Sequence, residues 1–465
     1  MARVFFDRLT LVNPLWNEAV KHGRYKYLRD KKIAQHLSLY VQETKTDIAL
    51  PNGVWEELCD YLETFVYPYK VIDHRQYRSV SQIPCNIRLR ATQVPAVEAM
   101  LQHERGLLIA PPGAGKTVMG ILLIMTLGQK SLWVTHTRRL FKQVINRYRQ
   151  FTGREAGIIW EKKKEIDDIL TVAMVKSAFL NDLSKYKDEF GLVILDECHH
   201  APAMMFTDVM TKFNAKYVYG LTATAFRRDN LERFMFDVIG PTRYEITRQE
   251  LIDAGDVIVP TYILRSTGRN YTYLFSMWNR LVGAIIKDQK RNNFIFEDVM
   301  KEAEDPDNKI VILSSRREHC KLLHRMLTLA GKAAVLVIGD VAMGRQDRRV
   351  EKFESGAAQI LIATYELLGE GFDVDKINRL FLATPIGAKG KARLVQAVGR
   401  AQRVAEDKTD SIVYDYVDKS HLPENILKER ARVGEGDFDL LEFQANARIE
   451  NLRSVWGDSL VIVRR

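Results

Sequence analysis

Cysteine is scarce in this chain of 465 residues, with only Cys59, Cys85, Cys198 and Cys320, and no two of them stand at CxxC spacing. That excludes a disulfide framework and a zinc ribbon, and it fits a reducing compartment. The N-terminus, Met1-Ala2-Arg3-Val4-Phe5-Phe6-Asp7-Arg8, lacks the apolar core of a secretory signal. No run of about 18 uncharged apolar residues occurs, so no spanning helix and no membrane partner are expected. Internal repeats and low-complexity tracts are also missing. The expected setting is the cytoplasm. Acidic residues are in deficit, 59 against 69 Lys and Arg, which leaves a net charge of +10 and a pI near 9.2. Such a balance points to a polyanionic partner, nucleic acid first, with a plain solubilising excess as the alternative. The length suits two or three domains, and 46% hydrophobic residues suffice for their cores.

What is present is organised around Leu107-Leu108-Ile109-Ala110-Pro111-Pro112-Gly113-Ala114-Gly115-Lys116-Thr117. An apolar strand delivers a small-residue loop, and Val118-Met119-Gly120-Ile121-Leu122-Leu123-Ile124 continues it as a helix. Pro112, Gly113, Ala114 and Gly115 let backbone N–H groups approach phosphate. Lys116 reaches the β- and γ-phosphates, and the Thr117 hydroxyl can hold Mg²⁺. The expected small molecules are therefore ATP and Mg²⁺. Downstream, Leu192-Val193-Ile194-Leu195-Asp196-Glu197-Cys198-His199-His200 places adjacent acids after a buried strand. Asp196 can hold Mg²⁺, and Glu197 can polarise the water that attacks the γ-phosphate. Consecutive Cys198, His199 and His200 cannot easily wrap one tetrahedral ion, so a zinc site is not expected.

The pattern divides the chain in three. Residues 1–84 form a small accessory module, with strands at Leu9–Val12 and Lys70–Ile72 and a helix over Gly53–Leu62. Its Lys21, Arg24, Lys26, Arg29, Lys31 and Lys32, interleaved with Tyr25 and Tyr27, either grip nucleic acid or form a solvated basic loop. Residues 85–243 alternate strand and helix with continuous apolar runs, the mark of a parallel sheet covered on both faces. Residues 244–465 repeat that alternation from Lys309 onward without a phosphate loop. A helical stretch at 271–304 precedes it, and helices with a final strand at Ser459–Val463 follow. Within the helical stretch Tyr271, Tyr273, Phe275 and Trp278 either stack on bases at a junction or pack in a core. In Gln396-Ala397-Val398-Gly399-Arg400-Ala401-Gln402-Arg403, Arg400 and Arg403 share a helix face and suit arginine fingers or a DNA-binding face. Thr222 and Thr224 suit a relay of nucleotide state or simple turn hydroxyls.

Ala110–Thr117, Asp196–His199, Thr222-Ala223-Thr224 and Gln396–Arg403 resemble, in order and spacing, motifs I, II, III and VI of superfamily 2 helicases. The Asp-Glu-Cys-His-His form resembles the DExH branch that holds excision-repair helicases, restriction-enzyme motors and the phage UvsW-type branch-migration helicases. The resemblance implies two tandem RecA-like domains. It implies that Arg90 and Gln93 recognise adenine, that Gln396 joins Arg400 and Arg403 at the nucleotide, and that Gly371 and Asp373 couple to it. It implies that Thr137, Arg138, Ser314 and Thr364 contact the tracked strand, and that His199, Thr222 and Thr224 couple the two events. The implied activity is ATP-dependent unwinding or branch migration of forked or branched DNA, with an RNA helicase or a restriction-nuclease motor as alternatives. A monomer is expected, and no protein partner is indicated.

Overall fold

A computed structural model provides the fold. It describes the chain except residues 1–8, 13–19, 22–35, 39–40, 43–47, 82, 199–204, 206–207, 211, 224–231, 274–276, 340–342, 367–376, 388–390, 403–407, 409 and 433–435. Two compact units divide it, Met1–Thr247 and Arg248–Arg465.

The first unit begins with two short antiparallel pairs, β1 (Thr10–Val12) with β2 (His36–Ser38) and β3 (Val41–Gln42) with β4 (Ile48–Ala49). Helix α1 (Trp55–Thr64) follows a 3-10 turn at Asn52–Val54. Leu9 and Val54 anchor a small core with Leu50, Leu58 and Tyr61. Lys70-Val71-Ile72 joins no ladder, contrary to expectation, and Val71 and Ile72 are 50% and 66% exposed. Most of the basic cluster at 21–32 lies outside the described residues.

The accessory segment packs on the sheet domain. Gly53 lies so close to the Phe236 carbonyl that a Cβ there would fall 2.4 Å from its oxygen. Arg243 pairs with Glu56. Residues 76–80 lace along the sheet: Gln76 N–H donates to Asn214 O at 2.6 Å, Lys130 N–H to Arg78 O at 2.7 Å and Val80 N–H to Gly128 O at 2.9 Å. These backbone bonds satisfy groups that an isolated linker would leave to water.

The main sheet comprises β5 (Arg105–Ile109), β6 (Ser131–Thr135), β7 (Gly157–Trp160), β8 (Lys163–Glu165), β9 (Leu170–Met174), β10 (Leu192–Asp196), β11 (Tyr217–Thr222) and β12 (Thr242–Glu245), in the order β12-β5-β11-β10-β6-β9-β7-β8. Every pairing is parallel except the β7–β8 hairpin. Helices α2 (Val94–Leu101), α3 (Lys116–Leu127), α4 (Arg138–Thr152), α5 (Val175–Leu180) and α6 (Glu232–Ile239) complete the unit. Every residue of β5, β6 and β10 is buried, which is what their unbroken apolar runs require.

The second unit opens with α7 (Arg248–Asp253) and β13 (Thr261–Thr272), which runs through the start of the stretch expected to be helical. Helices α8 (Trp278–Lys287) and α9 (Gln289–Glu302) follow. The sheet adds β14 (Ile310–Ser314), β15 (Ala334–Val337), β16 (Ile360–Thr364), β17 (Arg379–Leu382), β18 (Ile412–His421) and β19 (Ile462–Arg464), in the order β15-β16-β14-β17-β18-β13-β19, all parallel. The remaining helices are α10 (Arg317–Leu329), α11 (Met343–Glu354), α12 (Lys391–Ala401), α13 (Glu424–Arg432) and α14 (Leu440–Trp456). Along β14, Val311 and Leu313 enter one core and Ile310 and Ile312 the other, so helices cover both faces. Both units are thus parallel-sheet α/β domains of the expected tandem kind. No helix among the described residues is long and apolar enough to cross a membrane.

Candidate nucleotide and nucleic-acid site

The loop after β5 sits at the carboxyl end of a parallel strand, where ligands of open α/β sheets bind. Gly113 and Gly115 take φ of 94° and 82°, left-handed values that cost a side chain dearly. At Gly115 a Cβ would also fall 2.3 Å from the Gln93 Nε2 atom. Helix α3 then starts at Lys116, aiming its first N–H groups at the loop. Gly120, one turn on, lets Trp133 approach so closely that a Cβ would stand 2.4 Å from its ring.

Lys116 Nζ donates to Ala110 O at 2.9 Å and lies 3.4 Å from a Glu197 carboxylate oxygen. The loop lysine and the acid after β10 are therefore brought together, though about 80 residues apart in sequence. Glu197 adopts φ of 49°, a left-handed conformation that non-glycine residues rarely hold outside functional sites. Asp196 is 4% exposed, and among the described residues its Oδ2 atom is buried without a hydrogen-bond partner. Burial, and then the neighbouring Glu197 charge, raise its carboxyl well above the usual range, and Lys116 only partly offsets them. A desolvated carboxylate with one oxygen left without a described partner suits a cation-binding position. Asp196 and Thr117 fit the sparse protein ligation of Mg²⁺, which keeps water and phosphate oxygens for its remaining positions. Thr222 is buried at the end of β11, and its carbonyl accepts from Ala110 N–H at 2.8 Å, tying that strand to the loop.

Gln93 is 3% exposed, and both ends of its amide are engaged. Nε2 donates to Ala114 O at 2.7 Å and Oε1 accepts from Arg90 N–H at 3.0 Å. Arg90 Nη1 reaches Gly113 O at 3.4 Å. In this state both residues brace the phosphate loop.

The strand-contact candidates divide. Thr137 Oγ1 caps α4 by accepting from Leu140 N–H at 3.2 Å. Arg138 is exposed, pairs with Glu161 at 3.2 Å and lies 4.9 Å from the Trp160 ring centre. Sequence reading missed Trp160 and Glu161, because only the β7–β8 hairpin brings them to Arg138. Ser314 and Thr364 face each other at the carboxyl ends of β14 and β16. Ser314 is fully buried, with Oγ 3.0 Å from His319 Nδ1, and Thr364 is 4% exposed on the adjacent strand. Ser314 joins a buried chain through His319 and Asn292. His319 is held neutral, its pKa lowered to about 3 by burial and the Arg291 charge. Tyr273 is 3% exposed and donates to Phe438 O at 2.7 Å, Tyr271 bonds Asp288 at 3.0 Å, and Trp278 packs with Leu281 and Leu441. These aromatics serve a core and do not form a stacking face; Phe275 lies outside the described residues. Gln396 and Arg400 fall on α12, whose last residue is Ala401. His199, Thr224, Gly371, Asp373 and Arg403 lie outside the described residues.

Comparison with known proteins matches residues 86–227 to the family model described as type III restriction enzyme, res subunit, and residues 293–405 to the helicase conserved C-terminal domain. The chain is 27% identical over 69% of its length to the protein provisionally named ATP-dependent RNA helicase L396 of Acanthamoeba polyphaga mimivirus, and spans 62% of that relative. It is 23% identical over 70% of its length to the ATP-dependent DNA helicase uvsW of Enterobacteria phage T4, and spans 68% of it. Among solved structures, S. cerevisiae Dbp5 bound to RNA and ADP BeF3 superposes with a TM-score of 0.55 over 81% of this chain and 90% of that one, at 17% identity. That last likeness concerns the fold alone.

Proposed function

Because the chain is a superfamily 2 helicase of the DExH type, we propose that it hydrolyses ATP to translocate on DNA and remodel forked or branched molecules in replication, recombination or repair. The observation that carries this is the meeting of Lys116, Glu197 and the buried Asp196 carboxylate at the carboxyl edge of the first sheet. Lys116 leaves its resting bond to Ala110 O and neutralises phosphate charge. Glu197, freed from that lysine, orients the attacking water and takes its proton. Thr117 and Asp196 would hold Mg²⁺, which supplies charge neutralisation when bound. Arg400 and Arg403 act as arginine fingers, with Gln396 beside them, and Gly371 and Asp373 couple hydrolysis to movement. His199, Thr222 and Thr224 relay the nucleotide state. Arg138 is the strand contact best supported, being cationic and exposed.

A DNA substrate is favoured by the similarity to the ATP-dependent DNA helicase uvsW of phage T4, and its branched form by the motif resemblance to branch-migration helicases. An RNA substrate is the second reading, and the mimivirus relative's name favours it. ATP-driven strand displacement on matched DNA and RNA forks, four-way junctions and simple tailed duplexes decides between them. Activity on tailed duplexes alone would sink branch migration, and a preference for RNA forks would sink the DNA reading. The protein is proposed to act as a monomer.

A further inference from the structure

At the opposite end of β5 from the phosphate loop lies a cavity of about 260 Å³. Arg105 and Ala110 bracket that strand, roughly 17 Å apart at ~3.3 Å per residue. The cavity is therefore neither the nucleotide site nor the edge that carries Arg138. Arg105 lines it and is 9% exposed. Its guanidinium donates from Nη2 to Ala215 O at 3.3 Å, and among the described residues no carboxylate lies within ion-pair distance of it. The local acids are committed elsewhere. Asp73 holds Arg75 through two bonds, at 2.9 and 2.7 Å, and Glu104 pairs with Arg75 at 2.6 Å and Lys216 at 3.3 Å. Burial draws the Arg105 pKa down to about 10, which still leaves it charged at neutral pH. A guanidinium so buried, with no ion-pair partner among the described residues, leaves its charge to the cavity it lines. An anion in the cavity would satisfy it.

The rim indicates what carries that anion. Trp55, Val71 and Ile72 form part of the wall and are 41%, 50% and 66% exposed. Phe65, Val66, Tyr67 and Tyr69 on the adjoining segment are 58%, 86%, 49% and 44% exposed. So much exposed apolar surface in one short segment is uncommon on a protein without a partner there. Helix α1 beside it bears Glu56, Glu57, Asp60 and Glu63, which would repel a polyphosphate backbone. We propose that this cavity and its apolar rim dock a protein segment that presents a single carboxylate flanked by large apolar side chains, with Arg105 receiving the carboxylate as a fork-to-fork pair. The site lies away from the motor chemistry and is independent of the substrate the motor acts on.

Fluorescence anisotropy with the full-length protein tests it, using a labelled, end-blocked peptide Leu-Phe-Asp-Leu-Phe and its Asn counterpart. The Asp peptide should bind at least tenfold more tightly. Arg105→Gln should reduce that preference below twofold, and Arg105→Lys should retain part of it. Ile72→Asp, at an exposed position that keeps the test sound if Arg105→Gln does not fold, should weaken both peptides tenfold or more with ATP turnover unchanged. Equal affinity for the two peptides, no binding by either at millimolar concentration, or a preference that survives Arg105→Gln would overturn the proposal. Displacement of the Asp peptide by a dT oligonucleotide or by inorganic phosphate would do so too, by assigning the site to phosphate.

Discussion

Lys116 and Glu197 hold each other at 3.4 Å while the Asp196 carboxylate stays buried nearby. Lys116→Ala should lower ATP turnover by at least ~100-fold while nucleic-acid binding persists, as measured by phosphate release and filter binding. Glu197→Gln preserves shape and removes the base. It should retain ATP binding and lose roughly 10²-fold or more in turnover, and a smaller loss would assign water activation to another group. Asp196 provides a test on stability. Its folded pKa is raised above the ordinary 3.8, so between those two values the folded state holds a proton that the unfolded state has lost. Stability contributed at low pH is thus withdrawn as pH rises from about 4 through the folded pKa. Asp196→Asn should therefore raise the melting temperature of the nucleotide-free protein at pH 7.5, by about 1–3 kcal/mol of stability, while abolishing turnover. The gain should shrink toward pH 4, and a gain that grew on acidification would contradict the assignment. These residues were legible in the sequence because each motif is contiguous and its order is constrained by phosphate chemistry. The bracing of the loop by both ends of the Gln93 amide was not, since side-chain pairing across a fold leaves no local pattern.

At the scale of elements, β18 is gripped from both sides by buried ion pairs. Arg291 of α9 bonds Asp418 at 2.9 Å, and Arg448 of α14 bonds Asp415 at 2.7 Å, with Tyr262 of β13 donating to the same carboxylate. A neutral replacement of one partner strands a buried charge. Asp418→Ala should cost about 3–5 kcal/mol, read as a lower urea midpoint for the second unit, and near-wild-type stability would mean the pair is solvated. In the first unit Gly120 makes room for Trp133, and Gly120→Ala should cost ~1–3 kcal/mol through overpacking against a ring that cannot easily move. Strands such as β10 and β14 were readable because both faces are buried and the apolar run is unbroken. β13 was less so. Its outer half alternates half-buried and exposed positions and carries Arg265, Arg269 and Asn270, so it reads as polar, and only pairing with the long β18 makes it a strand. Lys70–Ile72 misled in the opposite sense, with strand-like residues left exposed beside a cavity.

On the scale of the whole molecule, two α/β units share one phosphate loop, and the chain carries a net charge of +10. A motor that grips phosphates should bind nucleic acid with steep salt dependence and little sequence preference. The accessory segment reads in the sequence as a small separate module, and its backbone is laced to the rest of the first unit through Gln76, Arg78 and Val80, bonds that no sequence pattern announces. Composition and motif order revealed the tandem architecture, whereas the packing of the first 84 residues had to be seen. The most direct test of the account is ATP-dependent displacement of labelled strands from a four-way DNA junction and a replication fork, run with the wild-type protein and with Lys116→Ala. The account predicts displacement by the wild type that requires ATP and Mg²⁺ and is lost in the variant. Displacement that proceeds without ATP, or that survives Lys116→Ala, would contradict it.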